Sequence, residues 1–254
     1  MSEPFTDNLR LPLLLFLFSF VVLWFSVWIG TKSRSGRAQD HEEFGIVLGA
    51  TLTLLGLIIG FTFSMAVSRY DQRKNYEEEE ANAIGTEYVR ADLLPAASAD
   101  KVRSFLSKYL HERILFYTTR DARELAQINE ATSRLQAELW SAVQVPASAQ
   151  PSPLVALAVS GMNNVLNSQG YTQAAWWNRI PVAGWVLMVV MAVFANALLG
   201  YGARPGQTNR RLLLVLPFII SIAFLLIADI DAPRRGLIRI SPQNLISLSQ
   251  SLHP

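Results

Sequence analysis

Four long uncharged segments constrain this chain more than any other feature of its sequence. Residues 11–29, 44–68, 180–203 and 212–228 contain no Asp, Glu, Lys or Arg, and they are 19, 25, 24 and 17 residues long. A helix needs about 20 mostly apolar residues to cross the hydrocarbon core of a bilayer. We therefore predict an all-α integral membrane protein with four transmembrane helices. The first segment is expected to remain in the protein, because no small-x-small cleavage site follows it.

Composition and motif content exclude several classes of function. The 254 residues are 51% hydrophobic and 17% charged, and 22 basic residues nearly balance 20 acidic ones. So balanced a charge does not indicate a nucleic-acid partner. The chain has no cysteine, which excludes disulfides, thiolate metal sites and a cysteine nucleophile. Because glycine-rich phosphate loops and the His-Glu-x-x-His motif are also absent, we expect no enzyme and no cofactor, and we assign no metal site.

The polar residues concentrate between the second and third segments. We expect a first transmembrane helix pair in residues 1–68, a cytoplasmic helical domain in 69–179, a second pair in 180–228 and a cytoplasmic C-terminal tail in 229–254. Within the central segment, prolines 95, 146, 151 and 153 are expected to separate three or four helices. One amphipathic stripe there has the spacing of a helix: Val102, Phe105, Leu106, Tyr109, Leu110, Ile114 and Tyr117.

Basic residues near the ends of the spans predict the orientation. An even number of spans places both termini and the central segment on one side. Eight basic residues lie on that side: Arg10, Arg69, Arg73, Lys74, Arg179, Arg234, Arg235 and Arg239. Six lie on the side of the two short loops: Lys32, Arg34, Arg37, Arg204, Arg210 and Arg211. This bias favours a cytoplasmic location for the termini and the central segment.

The second span is rich in small and hydroxyl-bearing residues. Gly45, Gly49, Gly56 and Gly60 would allow close helix packing, and the first interpretation is packing against another helix of the same subunit. The second interpretation is a pore-lining helix, because several side chains at steps of three and four share one face: Leu54, Leu57, Phe61, Ser64 and Ser68. Several copies around an axis would then form an apolar constriction that opens into a polar vestibule.

A run of four glutamates, residues 77–80, follows this span without a helix breaker. The helix is therefore expected to continue out of the membrane. Successive residues of a helix differ by about 100°, so the four carboxylates cannot share one direction. Most are expected to be solvated. In the alternative, Glu77 and Glu80 join Ser64 and Ser68 in a vestibule where a ring of carboxylates attracts cations.

An acidic turn follows the fourth span. Asp229 and Asp231 precede Pro233 and Gly236, a composition typical of a turn. Their carboxylates are expected to cap backbone amides, to pair with Arg234 or Arg235, or to bind a cation and affect gating. Two aspartates alone do not fill the coordination sphere of calcium.

Four motifs together resemble a known family. They are residues 54–61 (Leu-Leu-Gly-Leu-Ile-Ile-Gly-Phe), 69–71 (Arg-Tyr-Asp), 79–85 (Glu-Glu-Ala-Asn-Ala-Ile-Gly) and 229–236 (Asp-Ile-Asp-Ala-Pro-Arg-Arg-Gly). This set is similar to the bacterial bestrophin-like domain family of membrane proteins and, more distantly, to the bestrophin ion channels.

The resemblance implies a homopentameric ion channel in a bacterial inner membrane. Its hydrophobic neck would lie on Leu57 and Phe61, with Leu54 or Thr53 one turn earlier and Ile58 beside it. The expected partners are the lipid bilayer, further copies of the chain in a ring and permeant inorganic ions. The family does not determine the sign of the ion, and residues 77–80 favour monovalent cations. The alternative function is a non-conducting membrane scaffold or signalling subunit that binds a partner through its cytoplasmic helices.

Overall fold

The computed structural model describes residues 5–33, 41–203, 209, 211–234 and 236–252. Arg34, Arg37, Arg204, Arg210 and Arg235, which contribute to the predicted orientation, lie outside these residues. Within the described ranges the chain forms eight α-helices and no strand: α1 (Phe5–Lys32), α2 (His41–Arg90), α3 (Ala96–Thr118), α4 (Ala122–Ala149), α5 (Pro153–Trp177), α6 (Val182–Gly202), α7 (Val215–Asp231) and α8 (Gln243–Leu252). Short 3-10 turns, Ala91–Leu93 and Leu212–Leu214, precede α3 and α7.

Four helical stretches are long and apolar enough to cross a membrane. They begin at Pro12, Glu43, Pro153 and Leu212, and each covers all or all but one residue of one of the four uncharged segments of the sequence. The all-α class and the four candidate spans are therefore confirmed. The cytoplasmic location of the central segment stays a prediction.

The chain divides into two compact units. The apolar unit comprises Met1–Ser68 and Arg179–Ile238, and the polar unit comprises Arg69–Asn178 and Arg239–Pro254. The boundary at residue 68 falls inside α2, which is one continuous helix of 50 residues. The apolar half of α2 thus belongs to one unit and its polar half to the other.

In the apolar unit, α1 packs against α6 and α7. Two glycines make the approach to α6 possible, because a Cβ on Gly30 would collide with the carbonyl oxygen of Ala197, and one on Gly200 with that of Val27. This is the packing that small residues permit between membrane helices. Phe16 and Phe218 meet edge to face at 5.6 Å across α1 and α7.

In the polar unit, helix caps and an apolar core define the helices. The Asp121 carboxylate accepts the Arg123 amide at 2.6 Å, and the Ser152 hydroxyl accepts the Val155 amide at 3.2 Å, so both residues cap the helices that follow them. The stripe predicted on α3 is confirmed, since its seven residues are all buried in or packed against the core.

One proline does not act as expected. Pro146 lies inside α4, which continues to Ala149 before it ends. Proline lacks an amide donor, but its carbonyl oxygen still accepts the amide of Gln150 at 2.9 Å. The last turn of α4 therefore closes in spite of the proline.

Candidate functional site

The apolar half of α2 is largely exposed in the single chain, and the exposed side chains include the face predicted to line a pore. The side chains of this face are Leu54, Leu57, Phe61, Ser64 and Ser68. Leu57 is 51% exposed and Phe61 is 65% exposed. Ile58 is partly exposed and lies beside this face, about 100° around the helix from Leu57. Of the 18 most apolar consecutive residues in the stretch Glu43–Leu93, 6% are buried, against 39% in the stretch Leu212–Asp231, which contains α7. We call the five residues Leu54, Leu57, Phe61, Ser64 and Ser68 the exposed face of α2.

The glycines of this half of α2 are not used for packing within the described chain. A Cβ placed on Gly45, Gly49, Gly56 or Gly60 meets no atom within 4 Å. Close approach occurs instead at Gly30 and Gly200, between α1 and α6. Packing within the described chain therefore does not account for these four glycines of α2.

The polar half of α2 carries a row of buried charges. Arg73, Glu77, Glu80 and Glu87 are each at most 1% exposed. Steps of four, three and seven residues place them on one side of the helix. Buried charges are stable only when they are paired, hydrogen-bonded or neutralised. The partners of each side chain therefore explain its position.

Glu80 pairs with Arg113 of α3 inside the polar unit, and both side chains are fully buried. The second carboxylate oxygen accepts the hydroxyls of Tyr117 and Thr172, each at 3.2 Å. Burial alone would lower the pKa of Arg113, but the facing Glu80 carboxylate leaves it raised. The pKa of Tyr117 is raised mainly by burial and secondly by the negative charge of Glu80. The four side chains, from α2, α3 and α5, therefore form a cluster with Arg113 charged and Tyr117 neutral.

Glu77 and Arg73 cap the ends of two other helices. The Glu77 carboxylate accepts the amides of Asn244 and Leu245, each at 3.0 Å, at the start of α8. Arg73 donates to the carbonyl oxygens of Ala175 and Asn178, at 3.0 and 2.9 Å, at the end of α5. Each charge has the sign that complements the helix end it meets.

These contacts correct the assignment of Glu77 and Glu80 to a vestibule. Both carboxylates are held by donors of their own chain and do not reach solvent. Glu78 and Glu79 are the exposed members of the run. Continuing the register of the exposed face of α2 in steps of three, four and seven leads from Ser68 to Asn75, Glu79 and Asn82, and all three are exposed. The helical register of Leu57 and Phe61 is a sequence signal that places Glu79, rather than Glu77 or Glu80, on their side of α2.

Glu87 differs from the other buried charges because its carboxylate oxygens have no hydrogen-bond donor among the described residues. It lies in the polar half of α2, well beyond the apolar residues 44–68, and under Gly161 of α5, where a Cβ would collide with the carboxylate. Burial raises the pKa of Glu87 to about 8, although Arg90 opposes the shift. The folded protein therefore holds a proton on Glu87 near neutral pH.

We expect Glu87→Gln to remove a pH dependence from stability. Between the ordinary pKa of 4.5 and the folded value of about 8, the folded state binds a proton that the unfolded chain releases. The free energy of unfolding therefore falls as pH rises through this window, by at most about 1.4 kcal/mol per pH unit for one proton. In thermal melts from pH 5 to pH 8, the variant should lose this slope and exceed the wild type in Tm at pH 8. The exposed Glu79→Gln is the control and should keep the slope. An unchanged slope in Glu87→Gln would contradict the assignment.

The turn after α7 is held by its two aspartates through backbone amides. Asp229 accepts the amides of Leu237 and Ile238, at 2.7 and 2.8 Å. Asp231 accepts the amide of Ile180 with both oxygens, at 3.2 Å. Gly236 lies so close to Asp229 that a Cβ would collide with its carbonyl oxygen. No group of three or more His, Asp or Glu side chains in the described ranges could hold a metal ion.

Asp229→Ala should lower stability, because it leaves two amides without their charged acceptor. Hydrogen bonds to a charged group contribute about 1.5–3 kcal/mol, so a clear drop in Tm of the detergent-solubilised protein is expected. Asp229→Asn should retain part of the effect, since its amide oxygen still accepts one amide. Alanine at the exposed Asp71 is the control. Equal Tm values for Asp229→Ala and the control would show that the turn contributes little.

Three comparisons place the chain among known proteins. The sequence model of the Bestrophin-like domain matches residues 13–245. No curated protein matches significantly. Among solved structures, a bestrophin homologue from Klebsiella pneumoniae is similar with a TM-score of 0.63 at 16% identity, over 94% of this chain and 99% of that one. A leucine-to-threonine variant of that homologue gives 0.64 at 16% identity, over 93% and 97%. A structure described as a membrane protein gives 0.67 at 14% identity, over 93% and 97%.

Proposed function

Since the chain belongs to the bestrophin-like domain family, as its motifs indicated, we propose that it forms an ion channel. Several copies, five in our proposal, would surround an axis lined by α2. The observation that carries this proposal is the exposed face of α2. It combines bulky apolar residues with small polar residues, and other helices of the described chain leave it and the glycines of the same half of α2 uncovered.

The neck of the proposed pore lies on Leu57 and Phe61, with Leu54 one turn earlier. These side chains are exposed in the single chain, which a pore-lining position requires. Ile58 is turned away from the face and would contact the neighbouring copy at the edge of the neck. Rings of apolar side chains gate conduction by losing water when they are narrow.

The vestibule of the proposed pore begins at Ser64 and Ser68. On the polar half of α2, Asn75, Glu79 and Asn82 continue the same register and replace Glu77 and Glu80 in the proposal. A ring of Glu79 carboxylates would attract cations. We therefore propose that the channel prefers monovalent cations and that the Glu79 carboxylates cause this preference.

The topology and location remain part of the proposal. Residues 1–68 and 180–228 would form the two transmembrane pairs, and residues 69–179 and 229–254 the cytoplasmic parts, in a bacterial inner membrane. The balance of basic residues near the span ends supports this orientation. A surrounding bilayer would cover the remaining apolar surface.

The first test of the proposal is the oligomeric state. Identical heterologous contacts close into a ring, so native mass spectrometry of the protein in detergent or nanodiscs should give a single species larger than a dimer, with five copies expected. A monomer or a two-fold dimer in lipid would exclude a central pore and would favour the scaffold function.

A further inference from the structure

A groove of about 490 Å³ opens between α1, α6 and α7 in the apolar unit. Its walls are apolar over about two helical turns, with Phe18 and Val22 on α1, Val189 on α6 and Phe224 on α7. Phe18 is 73% exposed. The groove is separate from the exposed face of α2, and the proposed pore does not use it.

The charged side chains of the groove lie at one end. Arg179 precedes α6 and Asp231 ends α7, and both line the groove together with Trp185. The Asp231 carboxylate already accepts the Ile180 amide with both oxygens. Arg179 is exposed and makes no hydrogen bond or ion pair with any residue that the structure describes. The groove is thus amphipathic: its walls are apolar, and the exposed Arg179 guanidinium lies at one end.

We propose that this groove binds a glycerophospholipid of the surrounding bilayer, with one acyl chain along α1, α6 and α7 and the phosphate at Arg179. The apolar walls favour an acyl chain and the Arg179 guanidinium favours an anionic group beside it, and a phospholipid supplies both. Guanidinium groups bind phosphate oxygens through charge-assisted hydrogen bonds. Tryptophan side chains favour the level of the lipid headgroups, and Trp185 lies at that end of the groove, packed against Phe224 at 6.3 Å. The site does not depend on ion conduction.

Lipid retention by the full-length protein tests this site. Native mass spectra would be recorded after titration with phosphatidylglycerol or with diacylglycerol of the same acyl chains, which lacks the phosphate. A basic side chain near anionic lipid contributes about 1 kcal/mol, so the wild type should retain phosphatidylglycerol about fivefold better than diacylglycerol. Arg179→Gln should abolish this preference. Arg211→Gln, at an exposed arginine before the other end of α7, is the matched control and should keep it.

A second pair of variants tests the apolar channel. Ala228→Phe on α7 and Ser19→Phe on α1 fill the groove from opposite walls and should reduce retention of both lipids. The proposal is overturned if the wild type retains both lipids equally, if Arg179→Gln keeps the preference, or if a folded filling variant retains lipid as the wild type does. It is also overturned if filling the groove dissociates the oligomer without a change in lipid retention, because a second copy would then occupy the groove. Arg179→Gln alters an exposed side chain, so its result is decisive even if a filling variant does not fold.

Discussion

Arg113→Met should strongly destabilise the polar unit. The change leaves the Glu80 carboxylate fully buried without its cation, and breaking a buried pair in this way costs about 3–5 kcal/mol. For a chain of this size that corresponds to a fall in Tm of about 10 °C. Trp176 packs against Phe116 and Tyr117, with ring centroids 5.1 and 5.5 Å apart. Its fluorescence should therefore follow the transition.

Two further variants separate the buried charge from the packing of the side chain. The double variant Glu80→Gln with Arg113→Met removes both charges, and it should recover much of the lost stability because no uncompensated ion remains. Glu79→Gln changes the adjacent but exposed carboxylate and should shift the free energy of unfolding by less than about 0.5 kcal/mol. If Arg113→Met melted at the wild-type temperature, the pair would not be a structural element of this unit.

The helices could be predicted from local sequence, whereas the partners of the glutamates could not. Uncharged runs of about 20 residues and the 3.6-residue stripe on α3 are local signals, and both predicted real helices. Four successive glutamates sample all directions around a helix, so their sequence alone does not select the buried ones. The selection is made by Arg113, Thr172 and Asn244, which lie 33, 92 and 167 residues away from their partners.

The glycines show the same limit in a different form. Glycine spacing on α2 predicted close packing of that helix. The structure instead shows close approach at Gly30 and Gly200, which lie against the backbone carbonyl groups of Ala197 and Val27. Glycine spacing shows only that another helix could pack closely there. Whether it does depends on which helix lies beside it in the fold. For the acidic turn, the sequence left backbone amides, arginines and a cation as partners. In the structure, backbone amides donate to both Asp229 and Asp231. The neck and the ion preference stay predictions.

Leu57→Ala with Phe61→Ala should increase ion flux if the exposed face of α2 lines a pore. The two residues are one turn apart, so their rings would lie about 6 Å apart along the axis. An apolar ring offers a permeating ion no replacement for its hydration water, and it blocks conduction when it is narrow enough to lose water. Smaller side chains widen both rings. Flux of K⁺ and of Cl⁻ into liposomes, measured separately, should rise, with the larger rise for K⁺.

The same experiment distinguishes a pore from a scaffold through stability. In a pore these side chains face water, so their truncation should change Tm little; in a packed interface each truncation costs about 2–5 kcal/mol. Leu55→Ala is the matched control, because Leu55 lies on the same helix but is only 2% exposed, and its loss should lower Tm without raising flux. If the double variant behaved like Leu55→Ala, the exposed face of α2 would be a packing surface between copies, and conduction along it would be excluded.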